Sequence, residues 1–198
     1  MKNLLIIGLA ILVSLAFTVE KGGYIVGDEA TDFKLKNVDG KMISLSSYEN
    51  AKGYIVVFTC NSCPYSVAYE DRIIELQKKY ADKGFPVIAI NPNDDVKSPK
   101  DSFDKMKLRA KEKKFNFAYV YDDTQEITKA YGATNTPHVY VLDADRTVKY
   151  IGAIDNNTKS ASDADKKYVE DAVEALLAGK KVQTEKTKAI GCSIKWAS

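Results

Sequence analysis

The chain has 198 residues, a formal net charge of +2 and three cysteines. Charges of both signs are interspersed and no nucleic-acid motif accompanies them, which argues against a nucleic-acid partner. Three cysteines are too few for a disulfide-stapled scaffold, and their odd number leaves one over after any single pair.

Residues 1–18 are typical of a secretory signal peptide. Lys2 supplies a positive charge, and the stretch from Leu4 to Phe17 is apolar apart from Gly8 and Ser14. This stretch is shorter than the ~20 residues of a comfortable membrane span, and small residues near its end allow cleavage. We therefore predict an exported protein, periplasmic or extracellular, with an uncleaved membrane anchor as the alternative. Disulfides persist in such compartments.

The remaining chain, roughly 180 residues, is long enough for one domain with a sizeable core. Strand and turn signals in residues 24–48, with a turn at Asp39-Gly40, predict an N-terminal β-hairpin. The elements expected after it are a buried strand at 54–58, a helix at 64–80, a strand at 85–90, a charged helix at 101–114, a strand at 117–121, a short helix at 123–131, a hairpin over 139–151 and a helix at 163–178. This alternation predicts an α/β fold with a mostly parallel sheet and one antiparallel edge. The domain is expected to span residues 24–180, and residues 181–198 form a C-terminal tail that carries Cys192.

Cys60 and Cys63 lie where the buried strand 54–58 passes into the helix. Pro64 suits the first helical position, which places Cys63 at or beside the N-cap, near unpaired N–H groups and the positive end of the helix dipole. A thiol there is expected to ionise below the usual pKa of about 8.5. Two buried structural cysteines are the alternative, but a C-x-x-C pair at this position favours redox chemistry.

A second chemical feature is Thr136-Pro137-His138. Proline cannot donate to a sheet ladder, so Pro137 is expected at the start of a strand. His138 is the chain's one histidine. It is a candidate for proton transfer or metal binding if it lies near the thiols, and a structural strand residue otherwise.

Three stretches carry a family resemblance: Gly27–Leu35, the strand leading to Cys63-Pro64, and Thr136-Pro137 before a hairpin. Together they resemble the thioredoxin fold and, more narrowly, the peroxiredoxin-like redoxins of the alkyl hydroperoxide reductase/thiol-specific antioxidant family, over about residues 24–178. The resemblance implies a central mixed β-sheet flanked by helices, and a thiol-dependent oxidoreductase with an antioxidant role.

The resemblance also implies roles for single residues. Thr136-Pro137 matches the family's cis-proline, which faces the active cysteine and helps to hold substrate chains. Cys63 takes the first position of the thioredoxin cysteine pair and Ser66 the second, so Cys60 falls on the strand end. In peroxiredoxins a threonine and a distant arginine both contact the peroxide. Thr59 stands near the position of that threonine, and no arginine of this sequence clearly matches the other residue.

We expect the Cys63 thiolate to attack a disulfide or a peroxide. A second thiol then resolves the intermediate. Proximity in sequence favours Cys60 for this step. Cys192 is the other candidate, and a role as a spare thiol or in an intermolecular disulfide explains it equally well. The electron donor is not specified, no cofactor is expected, and membrane contact is expected only through an uncleaved N-terminal segment.

The alternative function is an exported copper carrier. Two thiolates and an imidazole suit copper(I), and Cys60, Cys63 and His138 would supply them. The two-residue gap between Cys60 and Cys63 weakens this alternative, because copper-carrying relatives of the fold usually have three.

Overall fold

The computed structural model describes residues 22–198, so the predicted signal peptide lies outside the described residues. The strands are β1 (Leu35–Asn37), β2 (Met42–Ile43), β3 (Gly53–Phe58), β4 (Val87–Asn91), β5 (Ala118–Tyr121), β6 (Asn135–Thr136), β7 (His138–Asp143), β8 (Val148–Gly152) and β9 (Cys192–Ser193). The α-helices are α1 (Pro64–Tyr80), α2 (Phe103–Lys113), α3 (Glu126–Tyr131) and α4 (Tyr168–Leu177). Short 3₁₀ turns cover Leu45–Ser47, Ala81–Lys83 and Pro99–Asp101.

Seven strands form one mixed sheet in the order β2-β1-β5-β4-β3-β7-β8. The neighbouring pairs β3–β4 and β4–β5 are parallel, and β1, β2, β7 and β8 join the sheet by antiparallel pairing. The predicted mixed sheet and N-terminal hairpin are present, but the expectation of a single antiparallel edge was wrong. Both edges are antiparallel because a short hairpin closes each of them.

Strand β3 lies at the centre of the core. Ile55 and Val57 belong to the apolar cluster that includes α1, α2 and α4, whereas Val56 and Phe58 belong to the cluster on the opposite face with α3. All four side chains are fully buried. The unbroken apolar run in the sequence therefore reflects a strand covered on both faces.

Helix α4 begins at Tyr168, five residues later than the sequence predicts. Asn156 explains the difference, because its side chain binds both Asp165 and the N–H of Lys166 while its own N–H donates to the Lys166 carbonyl. These local bonds compete with helix formation. No helix within residues 22–198 has the length and apolar character needed to cross a bilayer.

Candidate active site

Cys63 is the N-cap residue of α1, as the sequence predicts. Its backbone is extended (φ −70°, ψ 124°), Pro64 follows at the first helical position, and its carbonyl accepts the N–H of Val67 at 2.9 Å. The sulfur therefore lies at the helix end where backbone N–H groups lack intrahelical acceptors. The sulfur also lies at the positive end of the helix dipole.

Cys60 follows β3 and is buried with a free thiol. Its Sγ lies 3.2 Å from Thr136 Oγ1 and 3.8 Å from Ser66 Oγ. Ser66, on the first turn of α1, is itself fully buried. Cys60 is thus held by hydroxyl groups beneath the start of the helix.

The Thr136-Pro137 peptide bond is cis, and it lies against the thiols. The Thr136 carbonyl oxygen is 3.2 Å from Cys63 Sγ, while its hydroxyl contacts Cys60. The structure therefore brings Cys60, Cys63, Thr136 and Pro137 together at the end of the sheet.

Cys192 completes the site from the far end of the chain. It forms a disulfide with Cys63 across 129 positions of sequence, with the two Cα atoms 6.0 Å apart. Strand β9 pairs antiparallel with β6 so that Cys192 faces Thr136, and the Cys192 N–H points to Cys63 Sγ at 3.3 Å. Proximity in sequence favours Cys60 as the partner of Cys63, but the structure pairs Cys63 with Cys192.

Gly191 is a site residue that sequence reasoning missed. A Cβ atom added there would collide with the carbonyl oxygen of Thr136. Its own carbonyl accepts the side-chain N–H of Asn135 at 2.9 Å. Glycine lets the tail approach the Thr136-Pro137 peptide closely, and its position just before a cysteine was the available signal.

Backbone hydrogen bonds fix the rest of the tail. The N–H groups of Ile194 and Lys195 donate to the Thr134 carbonyl at 3.2 Å and to Asn93 Oδ1 at 2.9 Å. Ile194 is buried in the cluster that contains Phe58. The part of the tail (residues 181–198) that follows Cys192 is therefore packed against the domain.

The predicted accessory residues Thr59 and His138 stand next to the site residues Cys60 and Pro137 in sequence, but their surroundings differ. Thr59 is buried, and its N–H donates to the Ile90 carbonyl. His138 is buried, its Nδ1 accepts the N–H of Thr134 at 3.4 Å, and its ring packs on Tyr140. Burial, with a smaller contribution from the charge of Lys186, lowers the pKa of His138 to about 4. The imidazole is therefore neutral at ordinary pH, and its Nδ1 is engaged as the acceptor of the Thr134 N–H.

Two alternative chemistries receive little support from the geometry. Within residues 22–198, no three His, Cys, Asp or Glu side chains are arranged to hold a metal ion. The chain's three arginines, the cations that peroxide binding would use, are paired as Arg72–Asp155, Arg109–Glu70 and Arg146–Glu29.

A model of the AhpC/TSA family matches residues 26–151. The chain belongs to the AhpC/TSA family. The redoxin family predicted from the sequence is therefore confirmed.

Known proteins resemble this AhpC/TSA member over most of its length. An uncharacterized conserved protein from Geobacillus kaustophilus is 35% identical, with a TM-score of 0.83 over 90% of this chain and 96% of that one. The thiol-disulfide oxidoreductase ResA of Geobacillus thermodenitrificans is 28% identical over 74% of this chain and 83% of its own. A protein provisionally named thiol:disulfide interchange protein DsbE, from Chlorobium tepidum, is 22% identical, with a TM-score of 0.63 over 77% of this chain and 98% of that one. These structures confirm the predicted thioredoxin-like fold.

We expect Cys192→Ser to lower the free energy of unfolding by about 2–5 kcal/mol, because the disulfide restricts a long stretch of the unfolded chain. Urea unfolding under oxidising conditions measures this loss. Cys60→Ser is the matched control, since Cys60 is outside the disulfide. If reductant destabilises the wild type and Cys192→Ser equally, the disulfide is not the source of the stability.

Gly191→Ala should slow formation of the Cys63–Cys192 disulfide at least tenfold, because the added methyl group collides with the Thr136 carbonyl. Mass spectrometry of reduced protein quenched at intervals after mild oxidation follows the reaction. Gly22→Ala is the control, as open space surrounds a Cβ there. Equal rates for the two variants would show that the close approach is unimportant.

Stability should fall on acidification below pH 6.5 because of His138. Its pKa of about 4 in the folded protein lies below the usual value of about 6.5. Between these two pKa values the unfolded chain therefore binds more protons than the folded protein does. The free energy of unfolding falls by up to about 1.4 kcal/mol for each pH unit of acidification. Urea midpoints between pH 7 and 4 should drop less steeply in His138→Gln. A constant difference between the two proteins across that range would contradict this explanation.

Proposed function

We propose that this protein is an exported thiol-disulfide oxidoreductase in which Cys63 is the nucleophile and Cys192 the resolving thiol. The observation that carries the proposal is the Cys63–Cys192 disulfide at the N-terminus of α1, against the cis Thr136-Pro137 peptide. The broad class, a thiol-dependent oxidoreductase, is supported by the AhpC/TSA family and by relatives named thiol-disulfide oxidoreductases.

The reaction begins with the reduced protein. The Cys63 thiolate attacks one sulfur of a substrate disulfide, forms a mixed disulfide and releases the other substrate sulfur as a thiolate. The Cys192 thiolate then attacks Cys63 Sγ, which releases the second substrate thiolate and leaves the Cys63–Cys192 disulfide. Two electrons pass from the protein's thiols to the substrate. An external dithiol reverses these steps to restore the reduced protein, and the relative reduction potentials set the direction.

Backbone contacts suit Cys192 to the resolving step. Its pairing with Thr136 and the contact of its N–H with Cys63 Sγ hold it beside the nucleophile. Cys60 contacts Thr136 Oγ1 and Ser66 instead, below the helix end. We assign Cys60 to support of the site rather than to turnover.

We propose a disulfide rather than a peroxide as the main substrate. A peroxidase stabilises the charge that develops on the leaving oxygen, and preorganised donors or cations do this best. The arginine side chains are engaged in ion pairs with Asp155, Glu70 and Glu29. The substrate class is therefore a protein or small-molecule disulfide, and the donor is a thiol reductant outside the cytosol. The signal-like composition of residues 1–18 supports export.

Reduction of insulin disulfides by dithiothreitol, followed as turbidity, tests the proposal. Cys63→Ser should lower the catalysed rate to background, because the proposed reaction begins with attack by the Cys63 thiolate. Cys192→Ser that is reduced first and then mixed with insulin after the dithiothreitol has been removed should accumulate a mixed disulfide between Cys63 and insulin, visible on a non-reducing gel. Cys60→Ser should keep at least half of the wild-type rate.

Two results would overturn the assignment. One is loss of activity in Cys60→Ser with retention in Cys192→Ser, which would make Cys60 the resolving thiol. The other is rapid consumption of hydrogen peroxide by a wild-type protein that is inert toward insulin, which would identify a peroxidase.

A further inference from the structure

The carboxylate of Asp101 joins the loop before Cys63 to a residue that binds the tail carrying Cys192. Asp101 lies at the end of the 3₁₀ turn before α2 and is fully buried. We propose that it is a positioning residue that aligns the two sulfurs for disulfide formation. The inference rests on the proposed function, since it concerns the same cysteine pair.

The first half of the network holds the loop between β3 and α1. Asp101 Oδ1 accepts the backbone N–H groups of Asn61 at 2.8 Å and Ser62 at 3.0 Å, and Oδ2 accepts the Ser62 hydroxyl at 2.9 Å. Asn61 is held further by its amide, which donates to the Lys100 carbonyl. Because Ser62 directly precedes Cys63, these bonds fix the direction in which the chain enters the helix.

The second half of the network reaches the tail through Asn93. The Asn93 side-chain N–H donates to Asp101 Oδ2 at 2.8 Å, and its Oδ1 accepts the backbone N–H of Lys195 at 2.9 Å. One amide therefore bridges the carboxylate and a residue three positions after Cys192. Ser98 completes the site by donating its hydroxyl to Oδ2 at 2.6 Å.

The chemistry of this site requires a carboxylate. Five donors converge on its two oxygens: two backbone N–H groups, two hydroxyls and one amide. Charge-assisted hydrogen bonds of this kind are stronger than neutral ones. An asparagine at 101 would present an NH₂ group to at least one of these donors, so part of the network must break. Asp101 contacts neither sulfur in this network, so its effect on them is geometric.

The experiment is the redox equilibrium of the full chain with glutathione. Samples of wild type, Asp101→Asn and Asn93→Ala are acid-quenched, and the fraction with a Cys63–Cys192 disulfide is read by mass spectrometry. We expect Asp101→Asn to lower the equilibrium constant for the disulfide at least tenfold, and Asn93→Ala to lower it by a smaller factor. Asp104→Asn is the matched control, because that exposed carboxylate pairs with the nearby Lys107 on α2 and takes no part in the hydrogen bonds around Asp101.

A further variant keeps the proposal falsifiable if Asp101→Asn does not fold. Ser62→Ala removes one hydrogen bond between Asp101 and the loop before Cys63, and Asn93→Ala removes the link between Asp101 and the tail. Each should lower the equilibrium constant for the disulfide more than Asp104→Asn does. The proposal is overturned if folded Asp101→Asn, or both single-donor variants, have equilibrium constants within twofold of the control. Insulin reduction by the wild type is measured in parallel. Its absence would count against the proposed function and leave the positioning role to be judged from the equilibrium alone.

Discussion

Thr136 contacts or pairs with all three cysteines of the chain. Its carbonyl oxygen lies beside Cys63, its hydroxyl beside Cys60, and its backbone pairs with Cys192. These three contacts require different parts of one buried residue, so Thr136 must be held in a single orientation. The fold provides this by placing it immediately before a proline that leads into β7, an interior strand of the sheet paired with β3 and β8. The geometry of the redox centre depends on that short segment.

Local sequence signals predicted most of the fold. The apolar run of β3, the proline that opens α1 and the N-cap position of Cys63 depend on neighbouring residues, and periodicity reports such features well. The antiparallel edges were harder to predict, because strand direction depends on partners far apart in sequence. The start of α4 was also missed, since a side chain at Asn156 competes with the helix from a loop.

Only part of the site could be predicted, because some of its contacts join residues that are far apart in sequence. Cys60, Cys63, Thr136 and Pro137 do meet, as the family resemblance implied. The pairing of Cys63 with Cys192 could not be chosen from spacing, because proximity along the chain favours Cys60. What decides the pairing is a long-range strand contact between β6 and β9, with burial of Ile194 beyond it. Asp101 carried no sequence signal at all, since it begins the predicted charged helix 101–114 and an acidic residue there is usually solvated.

The Cys63–Cys192 bond closes a covalent ring around most of the described chain, with the N-terminal segment outside it. A ring of this size cannot be threaded as one extended strand through a narrow secretion channel. For a chain that is exported, as proposed, the bond must therefore form after passage. The presence of the disulfide in a protein molecule would then show that this molecule had already crossed the membrane.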